Sequence, residues 1–221
     1  MLRVKICGIT RLEDALCACE LGANALGFIF YSKSPRNIAM RDAAAIAQQL
    51  PAHVARVGVF VDHSIAEIET HRRAVGLHAL QFHGEYSADE MATCSAARLI
   101  KVARLHERSS LESLRPFQSL AHGFLLDTYE KNKLGGTGKT FDWQLALAAK
   151  SFGRIILAGG LNPANVQAAV RFVQPYAIDI NSGVESSPGI KDHHKLRQLF
   201  EQVKEFRRDW QPSNNTTFLI A

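Results

Sequence analysis

A thiol and a carboxyl group stand at telling places in this chain. Cys7 follows the apolar run Val4-Lys5-Ile6, and Asp127 follows Phe124-Leu125-Leu126. A carboxylate that closes an apolar run is costly to bury without a partner or a task. A thiolate and a carboxyl group facing each other could act as base and acid in a proton transfer. Taken alone, Cys7 beside Gly8 reads more readily as a small buried thiol. Two small-residue pairs repeat the placement. Gly159-Gly160 follows Arg154 to Ala158, and Ser182-Gly183, preceded by Asn181, follows Ala177 to Ile180. Such turns leave backbone N–H groups free to converge on an anion, and a short helix after Gly183 would add its dipole. Arg36, in Tyr31-Ser32-Lys33-Ser34-Pro35-Arg36, could bind a carboxylate bidentately. A solvated loop arginine is the equal alternative there. His83 closes the run Ala79 to Phe82 and should share the same rim.

Groups at strand ends share a rim only if the strands are parallel, and the rest of the chain supports that. Strand-like runs alternate with helix-like ones from end to end. Val4–Ile6 leads to a helix over 11–21, Ala25–Phe30 to 41–50, Arg56–Phe60 to 65–75, and Ala79–Phe82 to 88–97. Leu99–Ala103 leads to a poorer helix over 109–114, which Pro116 ends. Phe124–Asp127 leads to 141–149, Arg154–Ala158 to 164–172, and Ala177–Ile180 to 192–206. The strands are short, apolar and often β-branched, as when both faces are buried. Eight βα units at a spacing of roughly 27 residues predict a single closed (β/α)8 barrel, an α/β fold of the phosphate-binding type. An open doubly wound sheet would need only about five strands. No Pro/Gly/Ser-rich linker divides the chain, so residues 1–210 are expected to form one barrel domain. Residues 211–221 form a tail, either disordered or packed through its last apolar residues.

Composition narrows the remaining choices. The 221 residues are 47% hydrophobic and 21% charged, as in ordinary globular chains. No apolar run reaches the roughly 18 residues that span a bilayer, and the start of the chain lacks the apolar core of a signal peptide. No membrane role is expected, and the location is expected to be cytoplasmic. The formal net charge of +5 carries no long basic block with interleaved aromatics, so no nucleic-acid partner is expected. The charge could favour an anionic small-molecule substrate. Cys7, Cys17, Cys19 and Cys94 match no zinc or redox spacing, and the last three read as helix packing. Nine histidines form no ligand motif, so no metal is expected. Gly135-Gly136-Thr137-Gly138-Lys139-Thr140 invites a P-loop reading. It fails because Lys133 stands where that pattern needs its first glycine. The stretch 128–140 reads better as a glycine-rich lid.

Several motifs, in order from about Arg3 to Phe206, are similar to those of the phosphoribosylanthranilate isomerases of tryptophan biosynthesis. They are Lys5-Ile6-Cys7-Gly8-Ile9-Thr10, Ser32 to Arg36, Val57 to Val61, Gln81-Phe82-His83-Gly84 and Leu125-Leu126-Asp127. Gly135 to Trp143, Leu157 to Pro163, Ser182-Gly183-Val184-Glu185 and Pro188 to Asp192 complete the set. The resemblance implies a cofactor-free (β/α)8 enzyme, monomeric or homodimeric, that performs an Amadori rearrangement. It would convert N-(5'-phosphoribosyl)anthranilate to 1-(2-carboxyphenylamino)-1-deoxyribulose 5-phosphate. Carried over, Cys7 is the general base and Asp127 the general acid. Arg36 holds the anthranilate carboxylate, and the Gly159-Gly160 and Ser182-Gly183 turns hold the phosphate. His83, Asp179 and Asn181 complete the expected substrate contacts.

Those roles require a raised pKa at Asp127 and a lowered one at Cys7. The chain departs from the usual pattern at Phe82, Ile180, Asn181 and Lys131 to Leu134. The Phe82 change is expected to repack the rim of the fourth strand. Two other readings compete with this one. A different sugar-phosphate enzyme on the same barrel fits Cys7 poorly. A silent binding barrel leaves Cys7, Asp127 and Arg36 together unexplained.

Overall fold

The computed structural model describes residues 1–94, 96–105, 108–128 and 143–207. Eight strands carry the alternation predicted from sequence. They are β1 (Arg3–Ile6), β2 (Ala25–Ile29), β3 (Ala55–Phe60), β4 (Ala79–Phe82), β5 (Arg98–Leu105), β6 (Gly123–Thr128), β7 (Ile155–Leu157) and β8 (Ala177–Ile180). They pair in parallel in chain order, and β8 closes back on β1 with Lys5 opposite Asp179, making the (β/α)8 barrel that was expected. The helices are α1 (Leu12–Glu20), α2 (Met40–Ala47), α3 (Ile65–Val75), α4 (Ala88–Ala92), α5 (Trp143–Ala149), α6 (Val166–Val173) and α7 (His193–Val203).

Local chemistry explains several helix ends. Ser64 and Ser87 each form a capping box with the glutamate three residues on, and Gly76 ends α3 in the left-handed conformation. Asp192 caps α7 by accepting from the amides of His194 and Lys195. The fifth unit is irregular, as its sequence suggested. A 3-10 helix over Arg108–Phe117 with Pro116 inside replaces an α-helix. Helix α4 is shorter than predicted and stops at Ala92.

The period-two alternation of the strands divides the core in two. Outward side chains such as Phe28, Phe60, Phe124 and Leu157 pack under the helices, while Ala25, Val57, Ile100, Leu125 and Ile156 fill the barrel. Phe82 is fully buried on the outward side, its ring edge-on to Tyr86 at 5.0 Å. The departure at that position therefore repacks a layer behind the cavity.

One element has no counterpart in the sequence reading. A short antiparallel hairpin, β9 (Glu185–Ser187) with β10 (Ile190–Lys191), follows β8. Thr10 donates to the carbonyl of Gly189, and buried Asp14 accepts from the Lys191 amide and pairs with His193. The hairpin is thereby tied to β1 and α1. The lid predicted beyond Thr128 and the tail over 211–221 lie outside the described residues. Among those residues no helix is long and apolar enough to cross a membrane.

Candidate active site

A cavity of about 460 Å³ opens at the carboxyl ends of the strands, the end of a parallel barrel where ligands bind. Cys7, Arg36, His83, Asp127, Gly159, Gly160, Asp179, Asn181, Ser182 and Gly183 all line it. Every candidate residue from the sequence is therefore in one place. A wider cleft of about 610 Å³ lies at the opposite end, walled by Arg56, Arg72, Arg73, His78, Arg98 and His122; it contains none of these residues.

Strand geometry sets the positions. Lys5 and Cys7, Gln81 and His83, Leu125 and Asp127, and Asp179 and Asn181 are paired at intervals of two, so each pair points inward. Cys7 is fixed just past β1 by its amide, which donates to the carbonyl of Ile180 at 2.8 Å. Asp127 lies at the end of β6, buried, with Arg104 of β5 opposite it in register. Two Arg104 nitrogens are buried without a partner among the described residues.

Gly159 and Gly160 have φ of 76° and 67°, two consecutive left-handed residues that glycine adopts without strain. Among the described residues, neither amide donates to a protein acceptor. No α-helix begins after Gly183, contrary to expectation; a 3-10 turn over Ser182–Val184 leads into the hairpin. The first amides of that turn have no partner within it, so they join the two glycine amides around one end of the cavity. A Cβ at Gly183 would lie 1.9 Å from the Leu161 carbonyl oxygen, which shows how closely the turns after β7 and β8 approach.

Charge around Cys7 is dense and mostly buried. Lys5 is fully buried and pairs with Asp179 at 2.9 Å. The other Asp179 oxygen has no partner among the described residues. Burial disfavours the Lys5 ammonium, but Asp179 and then Cys7 outweigh it and hold its pKa above the ordinary value. Cys7 does not follow the lowered pKa expected of it. Burial pushes the thiol up, Lys5 and Lys191 draw it down, Asp179 adds to the rise, and burial prevails. His83 is driven down to about 3 by burial and by the charges of Arg104, Lys5 and Lys101. It is a neutral imidazole at physiological pH, with a buried Nε2 that has no partner among the described residues.

Arg36 is already engaged. Its Nε and Nη2 meet the Glu185 carboxylate at 2.7–3.0 Å, which leaves Nη1 without a protein partner among the described residues. Glu185 also takes Lys191 at 2.9 Å, and Lys191 donates to the Asn181 side chain at 3.1 Å. Burial would raise the Glu185 pKa, but the hydrogen bond from Arg36 and the charge of Lys191 hold it below the usual range. Lys5, Gln81, Arg104, Glu185 and Lys191 were not singled out from sequence. Lys5 gave a signal, a charge inside an apolar strand. Glu185 and Lys191 stood only within the family motifs, with no role assigned, because the hairpin that carries them has no periodicity to read. Among the described residues, no group of three or more His, Cys, Asp or Glu side chains is arranged to hold a metal ion.

Fold and cavity define a parallel (β/α)8 barrel with a small-molecule site at the carboxyl end of its sheet. Residues 4–202 match the family model described as N-(5'-phosphoribosyl)anthranilate (PRA) isomerase. An N-(5'-phosphoribosyl)anthranilate isomerase of Pelobacter propionicus is 44% identical over 209 residues, covering 95% of this chain and 99% of that one. The crystal structure of the Thermotoga maritima enzyme superposes with a TM-score of 0.87 at 42% identity, covering 93% of this chain and 100% of that one. A crystal structure of the isomerase in complex with reduced 1-(o-carboxyphenylamino)-1-deoxyribulose 5-phosphate gives 0.84 at 39% identity, with the same coverage. The chain belongs to the N-(5'-phosphoribosyl)anthranilate isomerase family and is an isomerase of that family.

Proposed function

We propose that the protein acts in tryptophan biosynthesis. It converts N-(5'-phosphoribosyl)anthranilate to 1-(2-carboxyphenylamino)-1-deoxyribulose 5-phosphate by an Amadori rearrangement, with Cys7 as base and Asp127 as acid. The observation that carries this reading is the meeting of Cys7 and Asp127, from β1 and β6, in one cavity with the two small-residue turns. Strands one and six stand three steps apart around the barrel, so a five-membered sugar between them meets a thiol on one side and a carboxyl group on the other.

Protonated Asp127 gives its proton to the ribose ring oxygen. The bond from C1 to that oxygen breaks as the anthranilate nitrogen shares its electron pair with C1, which opens the ring to a Schiff base. The thiolate of Cys7 then removes the proton from C2. That electron pair forms the C1–C2 double bond and neutralises the nitrogen, giving an enolamine that tautomerises to the ketone. Oxidation at C2 balances reduction at C1, so the scheme needs no cofactor.

The same cavity accounts for the rest of the substrate. In this reading the Nη1 edge of Arg36 takes the anthranilate carboxylate, and the amides of Gly159, Gly160, Ser182 and Gly183 take the phosphate. His83, as a neutral imidazole, can hydrogen-bond a sugar hydroxyl without adding charge. Residues 1–210 act together as one domain in this reading.

The test follows the fluorescence of freshly made phosphoribosylanthranilate. Wild type should consume it faster than its spontaneous decay, and Cys7→Ala and Asp127→Asn should each lower kcat by at least about 100-fold. Near-normal turnover in either variant removes that residue from the mechanism.

A further inference from the structure

Lys5 is a cation where the barrel needs none for packing. Apolar side chains such as Ala25, Val57, Leu125 and Ile156 fill much of the barrel interior, and Lys5 stands in register between Ala25 and Asp179. A buried ion pair is often no better for stability than an apolar pair of the same volume. Pairing with Asp179 therefore does not by itself explain why a lysine stands there.

The geometry gives Lys5 a second neighbour. A Cβ built on Gly27 would lie 2.7 Å from the Cys7 sulfur and 3.1 Å from Lys5 Nζ, so both side chains converge over the bare backbone of β2. Lys5 Nζ is thus held by Asp179 on one side and lies against Cys7 on the other. The remaining charges around the sulfur are already committed. Lys191 is bound by Glu185 and Asn181, and Arg36 by Glu185. His83, which also faces Lys5 and carries no charge, cannot substitute for it.

We infer that Lys5 is a positioning residue for the reaction: its buried ammonium stabilises the anionic sulfur of Cys7, the form that takes the C2 proton. Asp179 keeps Lys5 charged and so has two effects of opposite sign, sustaining the cation while opposing the thiolate directly. Lys5 stays protonated throughout; the proton that moves passes from C2 to sulfur. This inference rests on the reading of Cys7 as the base.

The experiment measures Cys7 directly. Alkylation by iodoacetamide is followed by mass spectrometry on the peptide that carries Cys7, from pH 6 to pH 10.5, beside the pH profile of kcat/KM. The proteins are wild type, Lys5→Met, and Lys5→Met/Asp179→Asn. The double variant removes both charges together and carries the test if Lys5→Met alone, which strands a buried carboxylate, does not fold. In Lys5→Met the alkylation midpoint should rise by at least about one pH unit, and the rate at pH 7 should fall at least about tenfold. In the double variant the rise should be smaller, because the opposing charge of Asp179 is also gone. The acid limb of kcat/KM should move with the alkylation midpoint.

A folded Lys5→Met or double variant with an unmoved alkylation profile would overturn the inference, since a lysine that only fills space would leave the thiol unchanged. A shifted alkylation profile with an unmoved kcat/KM limb would also overturn it, by removing Cys7 from the base role; the electrostatic coupling would then exist without serving the reaction.

Discussion

Glu185→Gln is the most informative single change to the wall of the cavity. The Glu185 side chain is 4% exposed and receives Arg36 at 2.7–3.0 Å and Lys191 at 2.9 Å. Glutamine keeps the shape and one acceptor but removes the charge. A hydrogen bond to a charged group contributes about 1.5–3 kcal/mol and a neutral one about 0.5–1.5. The loss is therefore about 1–1.5 kcal/mol for each of two cationic partners, or about 2–3 kcal/mol in all. For a chain of this size each kcal/mol shifts the melting temperature by about 2–4 °C, so the expected fall is about 4–12 °C at pH 7. Thermal melts followed by circular dichroism measure it.

The same substitution predicts a pH dependence whose sign is fixed. Glu185 has its pKa lowered in the folded protein. Its contribution is therefore fully present above the unfolded value of about 4.3 and is lost as pH falls through the folded value. The gap between wild type and Glu185→Gln should be constant from pH 6 to pH 8 and close in acid below about pH 4. A melting temperature within about 2 °C of wild type at pH 7, or a gap that widens in acid, would refute the picture of a buried carboxylate gripped by two cations. Activity gives a further readout. Loosening Arg36 should raise KM more than it lowers kcat, because the contact it positions serves ground state and transition state alike.

Three further outcomes follow from the site. Arg36→Ala should raise KM chiefly, and steady-state kinetics with an unchanged KM would place the carboxylate contact elsewhere. Gly183→Ala puts a methyl group 1.9 Å from the Leu161 carbonyl oxygen, so the turn must open. Its KM and the inhibition constant of inorganic phosphate should rise together by about tenfold or more, and wild-type values would exclude those amides as the phosphate site. His83 is driven down to about 3, so no titration of His83 should appear in kcat/KM between pH 5 and pH 8. An NMR titration of His83 with a midpoint near 6.5 would contradict the neutral ring with its buried Nε2.

What was legible in the sequence was the part that repetition writes down. Short apolar runs at a regular spacing carried the barrel, and positions just past a strand carried Cys7, His83 and Asp127 to a common rim, while Asp179, inside the last strand, came only from the family resemblance. Positions just past a strand carried Gly159, Gly160, Ser182 and Gly183. Less legible was whatever depends on irregular chain. The fifth unit was expected to be poor and is a 3-10 helix, while the hairpin Glu185–Lys191 has no periodic pattern and was missed. With it went Glu185 and Lys191, and so the partner that Arg36 already holds.

Charge balance inside the barrel was the least legible layer, because it is written between residues far apart in the chain. Lys5 meets Asp179 across 174 positions and Arg36 meets Glu185 across 149. The base role called for a lowered pKa at Cys7, yet burial drives it the other way, Lys5 and Lys191 oppose that, and Asp179 adds to the rise. Residue type and strand position can nominate an acid and a base, but their protonation states follow from which buried cation lies beside which anion. A mutation that leaves Cys7 untouched, at Lys5 or Asp179, should therefore change its reactivity as surely as one at the rim.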